Sequence, residues 1–319
     1  MVKLRSSYTF TLLPRAPYNF GLTVQRPAGW DLFAPKEIYD SGTLWTALHI
    51  GDLLTGLKLS STGTTDSSRI LVTVYSKDRL LSDQRHTVKE TLASKLGVAD
   101  DLNEFYSMAK KDEILRHTMN DLYGMHDTQN SSLFDATILA ICLQMAPLKR
   151  SNQMMNCILN KYGEVAEFNR RAIQVWPLPK VIAKLKERQL WKECNLGFRA
   201  RYLLQVARVL QSGSFPTLEE LAKLSPESAK EKLIELPGIG DYSSDIINPH
   251  GGFPIDVWSV EVFGKLFFGR RLGNPRKAIE KVKEEGIRRW GRWSWMAFYY
   301  VANDLQNLSS KLKIKLRLQ

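Results

Sequence analysis

The chain is poor in cysteine, with three among 319 residues. The positions of Cys142, Cys157 and Cys194 match neither a zinc knuckle nor a four-cysteine cluster. A sparse and odd set of cysteines is typical of proteins from a reducing cytosol. Cys142 and Cys157 also lie in apolar stretches of helical character, so we expect both to be core residues.

Long apolar runs are also missing. No stretch approaches the roughly 20 consecutive apolar residues that a membrane-spanning helix needs. The first ten residues lack the apolar centre of a signal peptide. We therefore expect no membrane association and an intracellular location, cytoplasmic, or nuclear in a eukaryote.

Acidic residues are outnumbered, with 33 Asp and Glu against 45 Lys and Arg, which gives a formal net charge of +12. A basic balance suits a polyanionic partner, although charge alone says nothing about the fold. The length allows two or three domains with a sizeable core.

The most informative stretch begins with Leu236-Pro237-Gly238-Ile239-Gly240. Periodicity predicts a helix over 225–236 and a second helix from Asp241, so the two glycines form a tight turn between helices. Glycine allows close backbone approach, and the N–H groups at the start of the second helix suit a phosphate. Ile239 is expected to fill the groove between the helices. Taken alone, such a glycine pair is more often a simple helix C-cap.

A single carboxylate follows the second helix in an apolar setting, Pro254-Ile255-Asp256-Val257-Trp258. Taken alone, an aspartate after an apolar run is usually a helix N-cap. Asp245 lies within the second helix, where we expect it to pair with a neighbour or face solvent.

Together, the turn and Asp256 resemble the helix-hairpin-helix/Gly-Pro-Asp (HhH-GPD) superfamily of DNA glycosylases. The chain is most similar to the 3-methyladenine DNA glycosylase II (AlkA-like) branch, with some resemblance to the 8-oxoguanine DNA glycosylases. The resemblance implies that the hairpin, 225–249, grips the DNA backbone and that Asp256, in the loop 253–258, serves removal of a flipped-out base. Such a carboxylate stabilises the oxocarbenium-like sugar and orients the attacking water. The expected partner is duplex DNA with a damaged base, bound by a monomer.

The expected fold class is α+β. Strands predicted at Tyr8–Leu13, Thr43–Ile50, Leu53–Ser60 and Arg69–Ser76 would form an antiparallel sheet with flanking helices, within an N-terminal domain of residues 1–104. Residues 105–310 are expected to form an all-helical glycosylase core. The basic tail, 311–319, alternates with period two and predicts either an added strand of the N-terminal sheet or a disordered segment.

One position separates the branches of the superfamily. Bifunctional members, including the 8-oxoguanine enzymes, carry a lysine two residues after the second hairpin glycine, where this chain has Tyr242. A phenol cannot replace a Schiff-base amine. The sequence therefore predicts a monofunctional, water-using glycosylase for alkylated purines without lyase activity. The alternatives are a glycosylase for 8-oxoguanine, hypoxanthine or a deaminated or mismatched base, and a non-enzymatic DNA-binding module, which Asp256 disfavours.

The resemblance also suggests several further site residues. Cation–π contact with an alkylated base suits aromatic side chains, and the base-pocket candidates are Tyr242, Trp258, Trp293 and Trp30. Trp290 and Trp295 compete with Trp293, and the alternative for every tryptophan is a core position.

Other candidates concern the DNA backbone and the gap left by the flipped base. The segment 195–203 resembles a helix start beside the hairpin, so Arg199 and Arg201 are candidate phosphate ligands, or else a solvated face. Met145 is the first candidate for a side chain that wedges into the duplex, and Leu148 the second, with a helix-end core position as the alternative. His250 is expected to cap its loop or to touch phosphate.

No cofactor is expected to be required, and the chain lacks the cysteines of the iron–sulfur cluster that some relatives carry. The resemblance implies a possible monovalent cation (Na⁺ or K⁺) on the backbone carbonyls of Leu236 and Ile239.

Overall fold

The computed structural model describes residues 1–25, 36–128 and 132–316. Five strands form an antiparallel sheet in the order β2-β6-β5-β4-β3. Their bounds are Ser6–Leu12 (β2), Ile38–Asp40 (β3), Thr43–Ile50 (β4), Leu53–Thr62 (β5) and Arg69–Ser76 (β6). The predicted antiparallel sheet is confirmed, and a tight turn at Gly51 joins β4 to β5, where Ile50 pairs with Leu53.

Helices α1 (Phe20–Gln25) and α2 (Ser82–Lys95) accompany this sheet. Val88 and Leu92 are spaced four residues apart on α2 and are both buried in the cluster of apolar side chains that covers the sheet. The four-residue spacing of these two residues therefore marks the core-facing side of α2.

A second, three-stranded sheet lies outside the sequence prediction. Its strands are β1 (Val2–Lys3), β7 (Glu164–Phe168) and β8 (Arg171–Val175), in the order β1-β7-β8. The prediction of an all-helical core after residue 105 is therefore wrong at this hairpin. The β7–β8 hairpin also packs on the main sheet, because Gly56 of β5 lies directly against the ring of Phe168.

The remaining helices of the described chain follow in order: α3 Asn103–Ala109, α4 Leu133–Leu143, α5 Leu148–Tyr162, α6 Pro179–Ile182, α7 Glu187–Cys194, α8 Arg199–Gln211, α9 Leu218–Leu221, α10 Pro226–Ile234, α11 Asp241–Ile247, α12 Ser259–Phe268, α13 Pro275–Trp290, α14 Ser294–Asn303 and α15 Leu305–Lys311. Within the described residues, no helix is both long and apolar enough to cross a membrane. The mixed α+β class is confirmed, and the division at residue 105 stays a prediction.

Two apolar clusters build the helical part. One cluster joins α4, α5, α8 and the α10–α11 pair. The other joins α3, α12, α13 and α14. The five-stranded sheet and α2 share a separate apolar cluster. The candidate site described below draws its wall from elements of both helical clusters.

The predicted strand at the C-terminus is wrong for the part of the tail that the structure describes. Lys311 ends α15, and residues 312–316 form no strand. The apolar half of the alternation packs instead on the helical cluster around α14, through Leu312 and Leu316. Residues 317–319 lie outside the described chain.

The cysteine prediction is corrected as well. Cys157 on α5 is not an isolated core residue, because it forms a disulfide with Cys194 at the end of α7, with the two Cα atoms 5.3 Å apart. Cys142 is buried and free, as expected. The disulfide links two helices of the same core cluster across 37 positions of the sequence.

Reduction of this disulfide is expected to lower the free energy of unfolding by about 2–4 kcal/mol, because the cross-link restricts the unfolded chain. Urea denaturation with and without dithiothreitol measures the difference. A Cys157→Ser/Cys194→Ser double variant is the control, and its stability should not respond to the reductant. An equal response of both proteins would contradict the prediction.

Candidate active site

The helix-turn-helix around the two glycines has the predicted form. Helix α10 begins after Ser225, whose hydroxyl accepts the N–H of Ser228, and α11 begins after Gly240. Between them, Leu236 and Ile239 are 1% and 4% exposed and belong to the apolar cluster of α4 and α8. Ile239 thus anchors the turn in the core, and the start of α11 is held in place.

Gly238 occupies a position that excludes other residues. Its φ of +78° is a left-handed conformation, and a Cβ atom there would lie 2.3 Å from the ring of Tyr202 on α8. Gly240 differs, because its φ is −111° and a Cβ atom would meet nothing within 4 Å. The two glycines of the motif therefore have different roles, because only Gly238 is required for the close contact between the turn and α8.

Gln144, just after α4, joins this turn to the neighbouring loop. Its side-chain amide donates to the carbonyl of Gly238 at 2.7 Å and to the hydroxyl of Ser243 at 3.0 Å. The next residue, Met145, has a φ of 46° and a side chain that is 94% exposed. An apolar side chain thus projects into solvent from a backbone that is tied to the hairpin.

Arg199 does not lie where the sequence analysis put it. Its side chain is buried, at 8% exposure, and its guanidinium donates to the carbonyls of Gln144 and Leu196. The prediction that Arg199 contacts phosphate is wrong, because these internal acceptors use its donors to hold the loop before Met145. Arg201 is exposed on the same helix, and its phosphate contact stays a prediction.

Two acidic residues near the turn are neutralised by lysines. Lys230 and Lys283 each form ion pairs with both Asp241 and Asp245. The Asp245 side chain is 3% exposed, which confirms the expectation that it pairs with a neighbour. Burial alone would raise the pKa of Asp241, but the two lysines outweigh burial and lower it.

A cavity of about 340 Å³ opens beside the hairpin. Three aromatic side chains named from the sequence lie in its wall with the candidate carboxylate, namely Tyr242, Trp258, Trp293 and Asp256. Trp30 lies outside the described residues. Leu148, the second wedge candidate, is half-buried and also lines this cavity, so it is less free to enter a duplex than Met145.

Asp256 is both a helix cap and a wall residue. Its Oδ1 atom accepts the backbone N–H of Ser259 at 2.7 Å, the Ser259 hydroxyl at 2.7 Å and the backbone N–H of Trp258 at 3.0 Å. These three donors fix the orientation of the carboxyl group at the start of α12. Asp256 therefore caps α12, as an isolated aspartate in this setting usually does, and it also lies in the wall of the cavity.

Tyr242 lies close to Asp256. Burial raises the pKa of the Tyr242 phenol strongly, and the negative charge of Asp256 raises it further. The phenol is therefore neutral throughout the physiological pH range. It can offer an aromatic face and an O–H group, but no additional negative charge.

Of the three C-terminal tryptophans, one lies in the core and two line the cavity. Trp290 is 2% exposed in the core and donates to Asp112 at 3.0 Å, so it is not a wall residue. Trp293 lines the cavity and donates to Glu104 at 3.2 Å. Trp295 also lines the cavity, and its indole donates to Asp127 at 2.7 Å.

The sequence analysis named Trp295 only as a competitor of Trp293, and the structure gives both residues a place in the wall. The ring of Trp295 stacks on Phe298 with centroids 6.1 Å apart, and Gly251 packs against the Cβ, Cγ and Cδ1 atoms of Trp295. No spacing rule identifies it, because the short 3-10 turn Gly291–Trp293 interrupts the helical period before α14.

Phe198 is an exposed aromatic residue that was not named as a candidate from the sequence. Its ring is 52% exposed, lies 4.6 Å from the Arg199 guanidinium and meets Tyr202 edge-on. Phe198 is therefore linked to Met145 through Arg199 and Gln144. The signal was present in the same segment that named Arg199, where an aromatic residue precedes the two arginines.

Replacing Gly238 by alanine is expected to lower the free energy of unfolding by about 1–3 kcal/mol, because the left-handed backbone and Tyr202 leave no room for a Cβ atom. Gly240→Ala is the matched control and should change stability by less than about 0.5 kcal/mol. Urea denaturation of both variants measures this difference. Equal destabilisation would contradict the distinction between the two glycines.

Comparison with known proteins adds to this geometry. No family model matches the chain. A "Probable N-glycosylase/DNA lyase" of Methanothermobacter thermautotrophicus is 22% identical over 62% of this chain and 70% of its own length. A "DNA-3-methyladenine glycosylase" of Bacillus subtilis is 24% identical over 63% of this chain and 67% of its own length.

Solved structures share the fold over nearly the whole chain. A 3-methyladenine DNA glycosylase from Archaeoglobus fulgidus superposes with a TM-score of 0.75 and 20% identity, covering 96% of this chain and 100% of that one. An 8-oxoguanine glycosylase/lyase from Clostridium acetobutylicum superposes with a TM-score of 0.69 and 16% identity, covering 94% and 99%. The homologues and structural neighbours of this chain are thus HhH-GPD DNA glycosylases, which confirms the resemblance carried by the hairpin and Asp256.

Proposed function

We propose that this protein is a monofunctional DNA glycosylase that flips an alkylated purine out of duplex DNA and hydrolyses its N-glycosidic bond. The observation that carries the proposal is the placement of Asp256 in an aromatic-walled cavity directly beside the glycine turn. A carboxylate fixed at that point can stabilise the oxocarbenium-like sugar and orient a water for attack. The product is an abasic site.

Aromatic faces support the choice of an alkylated purine. Tyr242, Trp258, Trp293 and Trp295 all contribute to the cavity wall. A cationic alkylated base gains roughly 0.5–2 kcal/mol from cation–π contact with such faces. Flipping costs least for damaged bases, which adds to the selectivity.

A lyase mechanism needs an amine near the reacting sugar carbon. No lysine lines the cavity within the described residues. Lys265 is the lysine nearest to Asp256 in the sequence. It pairs with Glu261 at 3.0 Å and donates to the carbonyl of Lys315 at 2.9 Å. These contacts and Tyr242 favour hydrolysis by water over a Schiff base.

The second candidate function is removal of 8-oxoguanine with strand cleavage. It is favoured by the names of two similar proteins, the N-glycosylase/DNA lyase and the 8-oxoguanine glycosylase/lyase. The two functions differ in whether a covalent protein–DNA intermediate forms.

The hairpin, with Gly238, Ile239 and Gly240 in the turn before α11, is the proposed DNA-backbone contact. The phosphate would be bound by the N–H groups of Gly238 and Gly240, because the N–H of Ile239 already donates to the carbonyl of Leu236. Such contacts position the duplex without reading its sequence. The residues also fit a monovalent cation, because the Leu236 carbonyl accepts one N–H, from Ile239 at 3.0 Å, and a carbonyl has two lone pairs. A cation bound to the carbonyls of Leu236 and Ile239 would supply positive charge to the phosphate.

Asp256→Asn is expected to reduce base release by about a thousandfold or more, because the charge that stabilises the oxocarbenium-like sugar is removed. Binding to duplex DNA with a tetrahydrofuran abasic analogue should be unchanged or tighter, since a negative charge near the polyanion is lost. Single-turnover release from methylated duplex DNA and fluorescence anisotropy measure the two quantities. An equal loss of both would sink the catalytic assignment.

Borohydride should trap no covalent complex with duplex DNA containing an alkylated purine or 8-oxoguanine. Strand breaks should appear only after alkali, because hydrolysis leaves an intact sugar–phosphate backbone. Denaturing gel electrophoresis, with and without alkali and borohydride, separates these outcomes. A trapped complex with 8-oxoguanine DNA would establish the second candidate function instead.

Met145→Ala is expected to lower kcat/KM on duplex DNA by about tenfold, because its side chain is proposed to fill the gap left by the flipped base. Stability should be unchanged, since the side chain is almost fully exposed. Leu148→Ala is the matched control, and its half-buried side chain should give a loss of stability. Activity on single-stranded DNA, where no gap arises, should not change in the Met145 variant.

A further inference from the structure

The indole N–H groups of the three C-terminal tryptophans all donate to carboxylates from one earlier part of the chain. The pairs are Trp290 with Asp112 at 3.0 Å, Trp293 with Glu104 at 3.2 Å, and Trp295 with Asp127 at 2.7 Å. An indole has a single donor and no acceptor. Each of these bonds therefore uses the one polar atom of its ring and fixes the edge that carries it.

The bond between Trp295 and Asp127 differs from the other two in its place. Both of its residues are half-buried, and both line the cavity beside the hairpin. The bond of Trp290 lies in the core, and the acceptor of Trp293 is the exposed side chain of Glu104. The pair of Asp127 and Trp295 is thus a polar contact within the cavity wall itself.

The backbone that carries Asp127 is anchored on both sides of the molecule. The carbonyl of Met125 accepts the hydroxyl of Tyr300 on α14 at 2.8 Å. The next residue, His126, is buried, and its backbone N–H donates to the hydroxyl of Thr23 on α1 at 3.1 Å. The carboxyl group of Asp127 therefore extends from a fixed point of the chain.

The other contacts of the Trp295 ring are apolar. Gly251, with a φ of +72°, packs against its Cβ, Cγ and Cδ1 atoms, and Phe298 stacks on it with centroids 6.1 Å apart. Apolar contact is non-directional, whereas a hydrogen bond weakens steeply when it is misaligned. The bond to Asp127 is therefore the contact that selects one orientation of the ring.

We propose that Asp127 is a positioning residue, which holds the ring of Trp295 in place as a preformed stacking surface for the flipped base. The inference rests on the proposed glycosylase function and concerns the same cavity. A ring that is already ordered loses little conformational freedom when the base arrives. The stacking and cation–π contacts of an alkylated purine then contribute to binding without that cost.

The test separates recognition of the base from binding of the DNA backbone. One duplex carries 7-methylguanine on a 2′-fluoroarabinose sugar, where the electron-withdrawing fluorine opposes the oxocarbenium-like state and keeps the base attached. The other duplex carries a tetrahydrofuran abasic analogue, which puts no base in the cavity. Fluorescence anisotropy measures the affinity of each protein for both duplexes.

Asp127→Leu keeps a side chain of similar size and removes the acceptor. Its affinity for the 7-methylguanine duplex should fall by about 3- to 30-fold, because the stacking surface is no longer held in place. Its affinity for the abasic duplex should be unchanged. Asp127→Asn retains a carbonyl oxygen that can accept the indole N–H, and it should recover most of the lost affinity.

A double-mutant cycle tests whether Asp127 acts through Trp295. Trp295→Phe keeps an aromatic face and removes the N–H group. In that background, Asp127→Leu should change the affinity for the 7-methylguanine duplex by less than about twofold. A full additional loss would overturn the proposal, because Asp127 would then act on the base or the DNA without the indole.

Asp112→Leu is the matched control, since it removes the same kind of bond from Trp290 in the core. Asp112 also accepts the backbone N–H groups of Ile114 and Leu115, so urea denaturation should show a loss of stability. The ratio of the two DNA affinities should not move. The same change of this ratio in Asp112→Leu and Asp127→Leu would overturn the proposal, as would equal losses for both duplexes or no loss for either in Asp127→Leu.

Single-turnover release of 7-methylguanine from ordinary methylated duplex DNA tests the proposed function separately. A wild type that releases no base, yet loses affinity for the 7-methylguanine duplex in Asp127→Leu alone, would retain the inference while the proposed function failed. Equal rates of release and equal affinity ratios in the wild type and Asp127→Leu would leave the proposed function in place and overturn the inference.

Discussion

The contact on which the site depends is the close approach of Gly238 to Tyr202. Because no side chain separates the turn from α8, the hairpin sits directly on the helical core, and Leu236 and Ile239 fill the space beside it. The carbonyl of Gly238 is then within reach of the Gln144 amide. One backbone conformation thus fixes the start of α11, the end of α4 and the loop that carries Met145.

The same turn fixes the cavity. Tyr242 is the second residue of α11, so the position of the helix start decides where the phenol enters the wall. Asp256 reaches the same wall from the start of α12, where three donors orient its carboxyl group. Capping does not compete with the proposed catalytic role, because only Oδ1 of the carboxylate accepts the capping hydrogen bonds.

Local signals predicted much of this arrangement. Alternation and turn residues placed four strands of the main sheet, and Gly238, Ile239 and Asp256 needed only their order and surroundings. The disulfide, the β7–β8 hairpin and the burial of Arg199 could not be predicted, because each depends on a partner far away in the sequence. The local sequence around Arg199 would be the same whether its guanidinium contacted a phosphate or the carbonyl of Gln144. The predicted strand in the tail was wrong for a related reason. Its period of two indicates an apolar side but not the surface that covers this side.

The charges around the hairpin determine whether it can approach a polyanion. The proposed phosphate contact needs N–H donors at the start of α11, yet this helix carries Asp241 at its first position and Asp245 one turn later. Lys230 and Lys283 compensate both carboxylates, so the net field near the turn does not repel a polyanion. Asp256 has no such compensation among its described contacts, and its neighbour Tyr242 stays neutral. Among the carboxyl groups that line the cavity, Asp256 is thus the one fixed at the start of α12 without a lysine or arginine among its described contacts, where the proposed reaction would develop positive charge on the sugar.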